Sequence, residues 1–447
     1  MRTKPAGVDA GPSVATVTRA WLPLAASWLL MALELPIVSA VTARMANPEV
    51  ELAAYGSVIM PIALVIEAPI IMLLSASTTL SRDRPSYAWL ARFTHVTSAI
   101  LTALHLLLAL TPLYAVVVDG WLGAPPEVSE AARLGLLIMT PWTWAIAYRR
   151  FNQGVLIRFG HNEAVTVGTM LRLGALLSVL AVGWFVFRAG EGGITGATLA
   201  ASAIACGVTT EAIYSGLRLR PVVRDELPDR DPEGNEGLRG RAFANFYVPL
   251  AVTTLLALIG QPLGTAGVSR MPEVIPSLAV LPVVMGFIFM FQSQGLALTE
   301  VAVAALERPG ARRSLVQFVA RLCAALAVVL LVIAGSGLSE LWFVDVSGLE
   351  PELGALATTG LLFATPIPML RVVQSWLSAV LVHARETRAI GEAVVVFLLV
   401  LGVVMGVGIL TQRWPGLYVA FAALSVARAC QTLWLFVRSR GQVAALS

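Results

Sequence analysis

Residues 21–45 (WLPLAASWLLMALELPIVSAVTARM) are written twice in this chain. Residues 247–271 (YVPLAVTTLLALIGQPLGTAGVSRM) repeat them at a constant offset, with no gap. Pro23 falls on Pro249, Leu24 on Leu250, Leu29 on Leu255, Pro36 on Pro262, Arg44 on Arg270 and Met45 on Met271. Each copy is apolar over about 20 residues, enough for a helix to cross ~30 Å of hydrocarbon. The duplication continues: LGLLIMTP at 134–141 returns as TGLLFATP at 359–366, with Gly135 on Gly360, Thr140 on Thr365 and Pro141 on Pro366. Fixed-offset self-similarity means one structural unit used twice. Two apolar copies mean a membrane protein made of two related halves.

Composition agrees. The 447 residues are 57% hydrophobic and 13% charged, with a mean hydropathy of +0.80. Apolar runs recur along both halves, so the chain reads as an all-α membrane protein of about 12 transmembrane helices in two parallel-repeat six-helix bundles. The expected organisation is a cytoplasmic N-terminal tail (1–20), a first bundle (21–218), a linker (219–241), a second bundle (242–438) and a cytoplasmic C-terminal tail (439–447). The linker RPVVRDELPDRDPEGNEGLRGR is rich in Pro, Gly and charge and has little to bury.

Topology follows from arginine. With both termini inside, the cytoplasmic side receives about 23 Lys/Arg and the outer loops about 5, the sense of the positive-inside rule. The net charge of +4 therefore speaks of anchoring and not of nucleic acid. An even number of spans per half sets both halves the same way up, which is the parallel-repeat arrangement with a solute path near the midplane. The three cysteines stand singly in apolar runs, without metal or disulfide spacing, and the four histidines are scattered. No metal site, cofactor motif or nucleotide-hydrolysis motif is present.

Ionisable and amide side chains inside hydrocarbon are costly and tend to face a cavity or a partner. The expected solute and ion pathway is Glu34 with its repeat neighbour Gln261, Glu67 with Gln292 and the adjoining Gln294, Arg149 with Gln374, and Arg150, Glu300 and Arg371. Glu67 stands two residues before Pro69, beside a helix break. Arg371 and Gln374 share a helix face at a spacing of three. Each residue has a plainer reading: Glu34 as an ion-pair partner, the arginines as cations snorkelling to headgroups, the glutamines as ties between helices. The prolines Pro36, Pro141, Pro262 and Pro366 are expected to break helices, as static kinks or as bending points.

The duplicated six-span half opening on a PL…P helix resembles the multidrug/oligosaccharidyl-lipid/polysaccharide (MOP) superfamily, which includes the MATE exporters. Within it, residues 149–173 (RRFNQGVLIRFGHNEAVTVGTMLRL), residues 248–270 (VPLAVTTLLALIGQPLGTAGVSR) and the LTE at 298–300 resemble bacterial relatives of the progressive ankylosis (ANK) family. The seventh-span position that is charged in the ANK pattern is Gln261 here. The resemblance implies a V-shaped pair of bundles in a bacterial inner membrane. It implies a monomer that exports a small organic solute by alternating access, coupled to H⁺ or Na⁺. The solute is an organic or phosphorylated anion if ANK-like; the alternatives are an H⁺-coupled MATE-type cation or drug antiporter and a flippase for lipid-linked substrates. A major facilitator-type transporter fits less well, because SRDRPS holds Asp83–Arg84 but lacks that family's glycine and basic ending. An intramembrane enzyme needs clustered Asp or His at one membrane face, which the sequence does not offer. A scaffold without transport activity is the remaining alternative.

Overall fold

The computed structural model describes residues 12–190, 193–230, 240–308, 310–384, 386 and 388–445. Within them the first repeat runs α1 (Val14–Ala32), α2 (Glu34–Thr42), α3 (Pro48–Leu52), α4 (Met60–Ile71), α5 (Leu73–Leu80), α6 (Arg84–Leu110), α7 (Pro126–Ile138), α8 (Thr140–Arg158), α9 (Asn162–Arg188) and α10 (Gly196–Asp225). The second runs α11 (Gly240–Val268), α12 (Val274–Leu306), α13 (Ala311–Gly335), α14 (Leu338–Glu340), α15 (Pro351–Ala364), α16 (Pro366–His383), α17 (Arg388–Thr411) and α18 (Gly416–Ala445). Three π-helical turns, Ala53–Ile59, Ala115–Leu122 and Leu341–Val346, interrupt or join these helices.

Eleven helical stretches among the described residues are long and apolar enough to cross a membrane. The chain is a multi-pass all-helical membrane protein. The expected count was about 12. The stretch that falls short is the fourth span, α7 with α8, because Arg133, Arg149, Arg150 and Arg158 lower its apolar character. Its repeat partner, Pro351–His383, qualifies.

Several boundaries move from the sequence reading. The expected tail 1–20 contributes α1 from Val14 onward, and its first eleven residues lie outside the described ones. The expected C-terminal tail 439–447 is taken up by α18 as far as Ala445. The linker shortens at both ends, since α10 runs to Asp225 and α11 starts at Gly240; residues 231–239 lie outside the described ones.

The prolines act unequally. Pro141 and Pro366 stand in the first turn of α8 and α16, where a missing backbone N–H costs nothing. Pro36 lies in the first turn of α2, just after span 1 breaks at Leu33. Its counterpart Pro262 sits inside α11, which stays a single helix. The first spans of the two repeats therefore differ in shape despite their matched sequences.

By packing, the chain forms two compact units, one of Val38–Ala279 and one of Met1–Ile37 with Val280–Ser447. They do not follow the repeat. In the first unit α11 packs on α4, and Thr265 Oγ1 donates to the Ser57 carbonyl of the π-turn at 2.8 Å. Arg270 donates to the Gly120, Trp121 and Leu122 carbonyls at the end of the next π-turn. In the second unit α1 packs on α13. Trp21 meets Phe318 edge-on at 5.4 Å and donates through Nε1 to the Gln294 carbonyl. Val17 joins the apolar core formed by Leu298, Leu315, Trp376 and Leu381.

Candidate functional site

The unit Val38–Ala279 holds a charged cluster in its interior, built on α4, α8, α9 and α10. Glu67 lies in α4 between two departures from regular helix, the π-turn Ala53–Ile59 before Met60 and the break at Met72 after Pro69. Such breaks release backbone carbonyls. Tyr247 of α11 takes up one of them, donating its hydroxyl to the Pro69 carbonyl at 2.5 Å. Glu67 is 4% exposed, and its Oε2 is buried with no hydrogen-bond partner among the described residues. The charges that act on it are those of Arg150 and then Arg149.

Arg149 and Arg150 follow one another on α8, so their side chains leave the helix about 100° apart. Arg149 is buried and pairs with Glu211 of α10, Nη1 to Oε2 at 2.9 Å. Glu211 is fully buried. Its Oε1 accepts from Gln153 Nε2 at 2.9 Å and from Thr169 Oγ1 at 3.4 Å. Arg172 Nε of α9 stands 3.7 Å from Oε2. Arg150 is half-buried and makes no hydrogen bond or ion pair with the described residues; its Nε is buried and unpartnered, as is the Oδ1 of Asn152, two residues on. The cluster thus has one satisfied carboxylate, Glu211, and one unsatisfied, Glu67, among three arginines. Polar atoms left this way in an interior require water, a proton or a solute.

Helix α8 reaches α5 across Gly154. A side-chain carbon there would collide with Ser77 Oγ and the Leu74 carbonyl. Nearby, buried His105 of α6 bridges Thr143 Oγ1 and the Leu136 carbonyl, each at 2.9 Å. That use of both ring nitrogens is structural.

The other unit holds the second polar group. Gln374 of α16 is buried and donates through Nε2 to three acceptors on α18: the Arg428 carbonyl at 3.1 Å, Gln431 Oε1 at 3.3 Å and Thr432 Oγ1 at 3.0 Å. Arg428 Nη1 donates to Gln431 Oε1 at 3.0 Å, and its guanidinium lies 4.6 Å from the centre of the Phe397 ring. Arg371, one turn before Gln374, is half-buried. Gln294 ties its own helix, donating to the Met290 carbonyl and Ser293 Oγ, and its carbonyl receives Trp21. Glu34 opens α2 and is half-buried. Beside it, α12 approaches closely because Gly286 has no side chain; an added carbon would lie 3.4 Å from Pro36 Cδ.

The expected residues therefore separate. Glu67, Arg149 and Arg150 come together, and so do Arg371 and Gln374. Gln292 is buried in α12. Gln261 and Glu300 are exposed on their helices. Sequence reasoning passed over Glu211, Arg172, Gln153 and Arg428. Three of these are charged residues inside the apolar helices α9, α10 and α18, and that signal alone would have found them. The search followed the repeat, and at Glu211 and Arg428 the repeat carries different residue types.

Comparison with solved structures identifies the architecture. A MATE-family multidrug resistance transporter of the MOP superfamily, in an inward-facing conformation, superposes with a TM-score of 0.72 at 15% identity, covering 95% of this chain and 98% of that one. The fold is that of the MATE transporters. The lipid II flippase MurJ in an inward closed conformation matches with a TM-score of 0.71 at 12% identity, over 95% of this chain and 90% of that one. A MOP-superfamily transporter from Pyrococcus furiosus, described by the reverse polarity of its binding pocket, matches at 0.61 and 13% identity over 98% and 99%. No protein-family model and no curated protein matches the chain. At these identities the likeness speaks for the MATE fold alone.

Proposed function

We propose that this protein is a secondary transporter that exports a small organic solute by alternating access, driven by an ion gradient. The observation that carries this reading is Glu67: a buried carboxyl whose Oε2 has no hydrogen-bond partner among the described residues, near Arg150, on a helix interrupted on both sides. A carboxylate so placed holds a proton at one stage of a cycle and releases it at another, when solute or solvent reaches the arginines. The MATE fold supplies a scaffold on which two repeats rearrange. The bacterial inner membrane, cytoplasmic termini and a monomeric state belong to the same reading.

The finer reading, an ANK-like organic or phosphorylated anion as solute, rests on the quoted segments and on arginines inside apolar helices of both units, buried in one (Arg149, Arg172) and half-buried in the other (Arg371, Arg428). A second reading, flipping of a lipid-linked substrate, draws on the likeness to the lipid II flippase. A proton-coupled antiporter of cations or drugs is the third, and draws on the MATE likeness.

The test is efflux from proteoliposomes holding the purified protein, loaded in parallel with citrate, ATP, pyrophosphate or a cationic dye, with and without a proton gradient. Anion efflux that follows the gradient in the wild type and ignores it in Glu67→Gln supports the proposal. Dye efflux with the same dependence moves the solute class to cations. No movement of any solute under either condition overturns transport of free solutes and leaves the lipid-linked reading.

A further inference from the structure

Two arginines inside apolar helices of the second unit, Arg371 and Arg428, have no ion-pair partner among the described residues. Arg371 (α16) and Arg428 (α18) lie inside the helical stretches Pro351–His383 and Gly416–Ala444, both long and apolar enough to span a membrane. The charge that acts on Arg428 is that of Arg371, so the two cations are close enough to repel. Neither forms an ion pair with a carboxylate among the described residues, and Arg371 has no hydrogen bond either. The carboxylate of this unit nearest in sequence to α18, Glu392, is engaged with Arg388 and Arg438. Beside the arginines, Gln374 Oε1 and Ser375 Oγ are buried and unpartnered.

The Phe397 ring and the Gln431 amide soften the charge on Arg428. They leave the net charge of the pair at two. Arginine does not discharge itself by losing a proton, and cations drawn out of water are costly unless an opposite charge stands beside them. In the other unit Glu211 supplies that charge to Arg149, with Arg172 3.7 Å away, and the Glu67 carboxyl stands near Arg150. At the register of Glu211, fifteen residues into α10, α18 carries Gln431, also fifteen residues into its helix. The carboxylate that balances one unit is thus an amide in the other.

We infer that Arg371 and Arg428 form a binding site for the carboxylate or phosphate group of an anion, with Ser375 and the Gln374 amide at its edge. The planar guanidinium fork suits both groups. The inference deepens the anion reading of the proposed function and rests on it only for the meaning of the site, because occupancy is measured without transport.

The experiment is equilibrium binding of radiolabelled phosphate and citrate to the full-length protein in neutral detergent. A second arm records melting temperature in nanodiscs of phosphatidylcholine with and without phosphatidylglycerol. Saturable binding of either free anion, weakened about tenfold or more in Arg371→Gln and in Arg428→Gln, supports the site. Exposed Arg388→Gln should bind as the wild type does. A melting temperature raised by phosphatidylglycerol alone, and only while both arginines are present, also supports it and makes a lipid headgroup the occupant. Arg371→Glu separates binding from folding: the new carboxylate supplies the missing charge, so this variant stays folded, binds no anion and melts at a temperature independent of added anion. Binding that survives in both glutamine variants, or a wild type indifferent to phosphate, citrate and anionic lipid alike, overturns the inference, whatever the efflux assay shows.

Discussion

Arg149 Nη1 lies 2.9 Å from Glu211 Oε2, and the two side chains are buried between α8 and α10. In the second repeat the equivalent helices, α16 and α18, meet through Gln374 and Gln431 at 3.3 Å. The corresponding contact is thus an ion pair in one repeat and an amide pair in the other. A buried pair is poor evidence of stability in itself, but removing one member leaves a bare charge. Glu211→Gln should therefore lower stability by about 3–5 kcal/mol. Arg149→Gln combined with Glu211→Gln, which copies the second repeat, should recover most of the loss. Melting of the purified single and double variants in detergent measures this, and a double variant weaker than the sum of the singles contradicts it.

Glu67 carries the functional prediction. Wild-type efflux should vary with pH as the carboxyl gains and loses its proton, being faster or slower on the two sides of its titration. Glu67→Gln should give a flat profile, and Glu67→Asp should keep the slope at a reduced rate. Stopped-flow efflux across a pH series reads the outcome. A sloped profile in the glutamine variant removes Glu67 from the proton path.

Gly154 is where α8 touches α5. Gly154→Ala should cost about 1–3 kcal/mol, because the added carbon meets a backbone carbonyl as well as a hydroxyl. Ser77→Ala in the same chain should relieve only part of that cost, since the Leu74 carbonyl stays in place. The two variants can be ranked by melting temperature.

Tyr247→Phe removes the donor that satisfies the Pro69 carbonyl. The expected loss is about 0.5–1.5 kcal/mol of global stability. Its sharper signature is local: amide exchange should quicken through residues 70–76, where α4 ends and α5 begins, and stay unchanged in α9. Hydrogen exchange read by mass spectrometry distinguishes this from uniform loosening.

The spans were legible because hydrocarbon imposes a simple requirement, about 20 apolar residues at a time. The repeat added their order. Pro141 and Pro366 were legible as interruptions, since a missing N–H acts wherever it falls. The π-turns were not. Ala115–Leu122 and Leu341–Val346 recur at matching places in the two repeats, yet the first reads in sequence as the end of an apolar span and the second as an outer loop. A π-turn depends on one extra residue between hydrogen-bonded partners, and composition does not reveal that count. The candidate site was half legible. Glu67 and the arginine pair stood out as charges in hydrocarbon. Glu211 supplies the ion pair from a helix distant in sequence, and only packing brings it to Arg149.

The exchange of leading helices carries a consequence for the gene. Unit Val38–Ala279 includes α11, from the second repeat, and the other unit includes α1, from the first. A chain severed in the polar linker between α10 and α11 would yield two fragments, each holding a helix that packs in the unit built mostly from the other. Splitting the gene there would therefore strand one helix on each product, and keeping both units whole would call for making the two products together.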